Sequence, residues 1–227
     1  MKYNVISIPR SGSGYIRSLI SKNLEINEGF YSVSEPFNWS KKRTTSLLEM
    51  IEQMRLADFV VTKNHISELT SLYTTHPDMY SNFFQIPFTH ILLLRKDIFE
   101  CTLSRCIAHV TNQWSDYTYT SADQISVSHD LYVSELRQSL SMWEYVATDH
   151  FNVEISKVIY YEDLSFSYND LSIFGIAPTV SVEYEKSPDK NQLVLNYDEL
   201  KEATLKLINT ISIRNVNIDG LNLSLDL

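Results

Sequence analysis

Arg10, Glu35, Lys63, His65, Arg95 and Glu162 are charged or titratable side chains that fall where short apolar runs of this 227-residue chain end. Cations of this kind hold an anionic group by charge-assisted hydrogen bonds, and a carboxylate or imidazole beside them can take a proton. The first of these positions is the most informative. Residues 3–8 are rich in β-branched and aromatic side chains, as a short buried strand is, and Pro9-Arg10-Ser11-Gly12-Ser13-Gly14 follows at once. Ile16, Leu19, Ile20 and Leu24 then recur at helical spacing. A strand, a small-residue loop and a helix start in that order make an anion site, because a helix N-terminus carries unpaired N–H groups and partial positive charge. Arg10 adds a full charge at the loop mouth. A nucleotide kinase or GTPase loop would read G-x-x-x-x-G-K-[ST], with a lysine for the terminal phosphates and a hydroxyl for magnesium, and this loop has no such lysine. By itself it is equally a tight strand-to-helix connection.

The elements that must position these residues alternate. Residues 30–33 read as a second strand leading into Ser34-Glu35-Pro36-Phe37, where Pro36 biases Glu35 toward an extended backbone. A helix over 44–55 precedes a strand at 58–62 that ends at Lys63-Asn64-His65. Residues 67–80 read as helix and loop, broken at His76-Pro77, and 89–94 (THILLL) is a continuous apolar run of the kind a central parallel strand shows. Arg95 follows it, and Asp97 caps a helix that places Phe99, Leu103, Cys106 and Val110 on one face and Ser104 on another. A polar, aromatic loop at 111–128 is long enough to be functional. A long helix over 129–149, a strand at 157–160 leading into Tyr161-Glu162-Asp163-Leu164 at a helix start, and an amphipathic helix over 197–211 complete the series. Residues 213–227 alternate around Asp219-Gly220, a hairpin turn signal, so the tail reads as a β-ribbon that covers an edge or pairs with a second copy as a homodimer. Strands alternating with helices predict an α/β protein, one domain over 1–227, with a mainly parallel sheet whose ligands lie at the carboxyl ends of its strands.

Composition narrows the function. A net charge of −9 disfavours a broad nucleic-acid or polyanion surface, while leaving room for a local basic pocket of Arg10, Arg17, Lys63, Arg95, Lys96 and Arg105. A strand beginning at residue 3 leaves no space for a signal peptide, and no later run is apolar enough to span a bilayer, so a soluble cytoplasmic protein without a membrane partner is expected. Cys101 and Cys106, five apart on a helix, are core thiols rather than a disulfide, and no Cys-x-x-Cys or His-x-x-x-His cluster points to zinc.

These segments together resemble the sulfotransferase family, which transfers sulfuryl groups from 3′-phosphoadenosine-5′-phosphosulfate (PAPS) to hydroxyl or amine acceptors. Ile8-Pro9-Arg10-Ser11-Gly12-Ser13 is similar to the family's phosphosulfate loop, commonly P-[KR]-[ST]-G-[ST]. Leu93-Leu94-Arg95-Lys96-Asp97 with Ser104-Arg105 resembles its 3′-phosphate element, and Tyr160-Tyr161-Glu162-Asp163-Leu164 resembles a late YED[LM] segment. Lys63-Asn64-His65 is similar to the K-T-H of cytosolic members, and Ser34-Glu35-Pro36-Phe37 to the E-P stretch of carbohydrate-type members, whose glutamate is a base. The likeness covers residues 3 to about 165. The chain departs from the pattern at Gly14, where many members carry a hydroxyl residue, in an Arg95-to-Ser104 interval one residue longer, and in lacking G-x-x-G-x-W-K, for which Lys186 and Lys190 are substitutes.

The resemblance implies a three-layer P-loop fold and a PAPS-dependent sulfotransferase without a metal, acting on a carbohydrate or small-molecule hydroxyl. It also implies that Pro9, Arg10, Ser11, Gly12, Ser13, Gly14, Tyr15, Arg95 and Ser104 hold the nucleotide. Lys63 and Arg10 would stabilise transferring charge, and Glu35 is the first choice of base with His65 the second. Trp114, Tyr117 and Tyr119 suit a sugar or phenolic face. Two other readings stand beside this one: a nucleotide kinase-like phosphotransferase, and a non-catalytic nucleotide-binding protein on the same fold.

Overall fold

In the computed structural model, which describes residues 1–38, 45–114, 124–147, 153–177, 180, 189–208, 215–218 and 221–224, the apolar run THILLL is strand β4 (Thr89–Leu94). Its last five residues are buried, as a strand covered on both faces requires. It lies in a five-stranded, all-parallel sheet with β1 (Lys2–Ser7), β2 (Phe30–Ser34), β3 (Phe59–His65) and β5 (Lys157–Tyr160), in the order β2-β3-β1-β4-β5. The chain forms two compact units: Met1–Leu94 with Asn152–Glu183, and Arg95–Phe151 with Tyr184–Leu227.

The first unit contains the whole parallel sheet. Helix α1 (Ser13–Leu24) follows β1 and packs on β1 and β3, burying Ile16, Leu19, Ile20 and Leu24. Helix α2 (Leu47–Leu56) starts three residues later than 44 because Ser46 caps it, accepting from the Glu49 N–H at 3.2 Å while Glu49 Oε2 accepts from the Ser46 N–H at 2.8 Å. Thr44 itself lies outside the described residues. Strand β3 runs to His65, so Lys63-Asn64-His65 is its last stretch rather than a segment beyond it. The break expected at His76-Pro77 separates α3 (Ile66–Thr75) from α4 (Pro77–Phe84), where proline occupies the first turn. Tyr161–Asp163 is a single 3-10 turn, not the start of a longer helix.

Because β1 has β3 on one side and β4 on the other, the chain reverses direction across the sheet there. The loop leaving β1 is thus at a topological switch point, the usual ligand position in such sheets.

The second unit is helical with a hairpin. Asp97 Oδ1 accepts from the Glu100 N–H at 2.8 Å and opens α5 (Ile98–Thr111), which ends at Asn112 in a left-handed conformation. Phe99, Leu103 and Cys106 are buried as expected, but Val110 is 45% exposed and Ser104 only 4%, so the two-sided reading of this helix is corrected. It is buried all round from Cys101 to Ala108, because α6 (His129–Ala147) covers it and Glu135 from α6 neutralises Arg105. Helix α7 (Lys190–Leu193), helix α8 (Tyr197–Ile208) and the antiparallel pair β6 (Asn215–Ile218) and β7 (Leu221–Ser224) follow. The hairpin is the ribbon expected from the tail, while Asp219-Gly220 and the predicted helix ends at 148–149 and 209–211 lie outside the described residues. Cys101 and Cys106 are buried thiols not joined in a disulfide, and burial pushes the Cys106 thiol up to about 12. No described helix is long and apolar enough to cross a membrane.

Candidate active site

The loop after β1 is held by Ser11, the residue that follows Arg10. Ser11, fully buried, donates from Oγ to Ile8 O at 2.6 Å and approaches Leu93 O at 3.3 Å, which ties the loop to β4. Arg10 (φ 70°) and Gly12 (φ 81°) are both left-handed, and this turns the chain sharply into α1. Gly12 occupies the N-cap position and no side chain caps that end. The first intrahelical bond is Ile16 N–H to Gly12 O at 3.1 Å, so the amides of Ser13, Gly14 and Tyr15 precede the helix's own hydrogen-bond ladder. These amides are what the loop can offer an anion. The space beside Gly14 is open, with nothing within 4 Å of a Cβ built there. Pro9 and Arg10 are half-buried at the start of the turn.

The side chains of this loop divide by role. The Tyr15 hydroxyl lies 2.9 Å from Ser167 O and 2.9 Å from Asp170 Oδ2, and the Ser11 hydroxyl donates to Ile8 O, so both hydroxyls are engaged within the protein. Gly12 is fixed by its surroundings: a Cβ would lie 2.9 Å from Tyr161 Cδ2, in the segment resembling YED[LM]. With the positive φ added, Gly12→Ala is expected to lower unfolding free energy by about 1–3 kcal/mol, read as a lower urea midpoint with unchanged slope. Gly14→Ala, with open space at its Cβ, should shift the midpoint much less.

Glu35, Lys63 and His65 come together at the carboxyl ends of β2 and β3. Lys63 and His65 are two apart on β3 and so share a face. Glu35 Oε1 receives Lys63 Nζ at 2.5 Å and His65 Nε2 at 3.2 Å, and Asn38 Nδ2 donates to Glu35 Oε2 at 3.1 Å. The three side chains are 12–15% exposed, which strengthens these contacts relative to a surface pair. Glu35 is left-handed at φ 53°, against the extended backbone expected before proline. Its N–H donates to Lys63 O at 2.7 Å while its carboxylate meets the Lys63 ammonium, so one residue is clamped at both ends. That clamp offsets the strain of the turn.

Around this cluster lie Arg17, which the sequence places in a local basic pocket, and residues to which the sequence assigns no site role: Ser7, Glu68 and His90. Ser7 Oγ is 3.2 Å from His65 Nδ1, and Glu68 Oε2 accepts from the His65 N–H at 3.0 Å. Burial raises the Glu68 pKa, opposed by the charge and N–H of His65. Arg17 on α1 donates from Nη1 to Ser32 Oγ at 3.0 Å; burial lowers its pKa and the Glu35 charge raises it. Beneath, His90 Nδ1 meets Asn4 Nδ2 at 3.2 Å, and Asn64 Nδ2 donates to Asn4 Oδ1 at 2.8 Å. Burial holds His90 near 4, so its ring is neutral at pH 7 and accepts from Asn4. A period-two reading of β3 pairs Lys63 with His65 from sequence, whereas Ser7 and Asn38 become visible only when strands β1, β2 and β3 are in register.

In the second unit Arg95 is 8% exposed and Lys190 6%, and both face one carboxylate. Lys190 Nζ donates to Glu100 Oε2 at 2.6 Å, Tyr197 OH donates to Glu100 Oε1 at 3.0 Å, and Arg95 Nη2 lies 3.8 Å from Glu100 Oε2. Burial, then the charge of Arg95, lowers the Lys190 pKa. Ser104 is buried on α5. Trp114 sets its ring edge-on to His109 at 4.6 Å, while Tyr117, Tyr119 and Lys186 lie outside the described residues. Among the described residues no group of three or more His, Cys, Asp or Glu is placed to hold a metal ion.

These features define an α/β protein with an anion-ready strand–loop–helix at the switch point of a parallel sheet and a carboxylate–lysine–histidine cluster at the carboxyl ends of the neighbouring strands β3 and β2. In comparisons with known proteins, neither a family model nor a curated protein sequence matches the chain.

Proposed function

We propose that this protein is a PAPS-dependent sulfotransferase acting on a hydroxyl of a carbohydrate or small molecule. The observation that carries the reading is the meeting of Lys63 and His65 on one oxygen of Glu35, at strand ends beside the loop that leaves β1. Sulfuryl transfer is an in-line displacement whose charge spreads over nonbridging oxygens, so placed cations and amides lower its barrier. The acceptor oxygen forms a bond to sulfur as the bond from sulfur to the phosphate oxygen breaks, and adenosine 3′,5′-bisphosphate leaves. Glu35 takes the hydroxyl proton. Lys63 and Arg10 face the charge that develops on the departing phosphate, with the amides of Ser13, Gly14 and Tyr15 at the phosphosulfate. The 3′-phosphate role of Arg95 and Ser104 rests on their motif, with Lys190 the described candidate for the C-terminal contribution.

Turnover with PAPS and a panel of sugar and phenolic alcohols tests the activity. Binding tests the donor independently: adenosine 3′,5′-bisphosphate is expected to bind without magnesium and more tightly than 5′-AMP or ATP in calorimetry. Arg95→Ala should weaken the bisphosphate by about 1.5–3 kcal/mol and leave 5′-AMP much less affected. ATP binding of equal strength, or a requirement for magnesium, would favour the kinase-like reading. Tight bisphosphate binding with no turnover on any acceptor would favour a non-catalytic nucleotide-binding protein.

A further inference from the structure

We infer that Ser7 is a positioning residue that fixes the tautomer of His65, so that His65 orients Glu35 and Glu35 alone accepts the acceptor's proton. The inference rests on the sulfotransferase reading for what the base does, but not for how the ring is held.

Ser7 is the last residue of β1 and the register partner of His65 on β3, which puts the two side chains on the same face of adjoining strands. Ser7 is fully buried, and its hydroxyl makes one hydrogen bond among the described residues, the 3.2 Å contact with His65 Nδ1. A buried hydroxyl that accepted there would leave its own proton unpaired, at a cost of about 1–3 kcal/mol. Donation is therefore the favoured direction, and Nδ1 is the acceptor. At the other side of the ring, Nε2 faces Glu35 Oε1 at 3.2 Å. An ionised carboxylate only accepts, so Nε2 carries the proton. Both neighbours demand the same neutral form, with hydrogen on Nε2 and a lone pair on Nδ1. In that form neither nitrogen can take a proton from a substrate: Nε2 already has one, and the Nδ1 lone pair is directed at Ser7. Glu35 keeps the acceptor role because Asn38, Lys63 and His65 donate to its two oxygens without protonating them.

The test is nitrogen-15 NMR of the His65 ring in the intact protein, with no nucleotide or acceptor present. The wild-type ring is expected in the Nε2–H form at neutral pH. In a Glu35→Gln background, where the carboxylate no longer selects the tautomer, Ser7→Ala should admit a measurable fraction of the Nδ1–H form, and Ser7→Thr, which restores a hydroxyl, should return it to Nε2–H. Glu35→Gln provides an arm that keeps Ser7: the ring should stay Nε2–H, because the hydroxyl still occupies Nδ1. A wild-type ring in the Nδ1–H or doubly protonated form, an unchanged ring in a folded variant carrying both Glu35→Gln and Ser7→Ala, or a switch to Nδ1–H in Glu35→Gln alone would each overturn the inference. None of these readings requires turnover, so an inactive protein with the expected ring, or an active one with the wrong ring, separates this inference from the proposed activity.

Discussion

Glu35→Gln is expected to lower turnover with PAPS by about two to four orders of magnitude while leaving the affinity for adenosine 3′,5′-bisphosphate nearly unchanged. Glutamine has the shape of glutamate, and its carbonyl oxygen can still accept from Lys63, so the fold and the donor site should persist. What is lost is the capacity to carry away the acceptor's proton. Initial rates across acceptor concentrations, paired with calorimetry on the bisphosphate, measure both halves. His65→Asn should cost much less, since the ring donates to Glu35 rather than receiving from the substrate. Nearly full activity in Glu35→Gln, with a large loss in His65→Asn, would pass the base to His65.

Lys63→Met is the second large effect, with kcat expected to fall by about 10²–10³-fold and the acceptor KM to move little. That is the scale for removing one preorganised charge from a developing anion. Methionine keeps the length of the aliphatic stem, and Lys63 is mostly buried, so packing is preserved and charge is the difference. The same substitution takes one partner from Glu35, which His65 and Asn38 still contact. A better base does not replace the missing cation if charge on the leaving phosphate limits the rate. Single-turnover measurements with preloaded donor separate the chemical step from product release, and an unchanged chemical step would remove Lys63 from the mechanism.

Much of this arrangement was legible in the residues because local pattern and tertiary role agree. The run THILLL is apolar on both faces and is a strand between two neighbours; KVIY lies where it was expected; Pro77 divides two helices as its missing N–H requires. The site was legible where charges follow such strands. It was not legible where a partner from distant sequence decides. Arg105 reads as a polar face until Glu135, on another helix, neutralises it, and this buries Ser104 alongside. Glu35 reads as extended before Pro36, but contacts with Lys63 hold it left-handed. Ser7 is one serine at the end of an apolar strand, and only the register of β1 with β3 gives it His65. Tyr15 lies inside the loop motif, yet Asp170 claims its hydroxyl.

The pairing of β4 with β5 also bears on how the chain is made. Residues 95–156 separate these two hydrogen-bonded strands, and every other pairing in the sheet is parallel and so joined by a crossover rather than a hairpin. Contacts this distant in sequence must close long loops before they contribute, which makes folding slow relative to a helical protein of similar size. During synthesis from the N-terminus, β4 emerges with β1 available on one side and nothing for the other until residues 157–160 leave the ribosome. Over that interval a strand of isoleucine and leucines presents an open edge, the kind of template on which chains join each other.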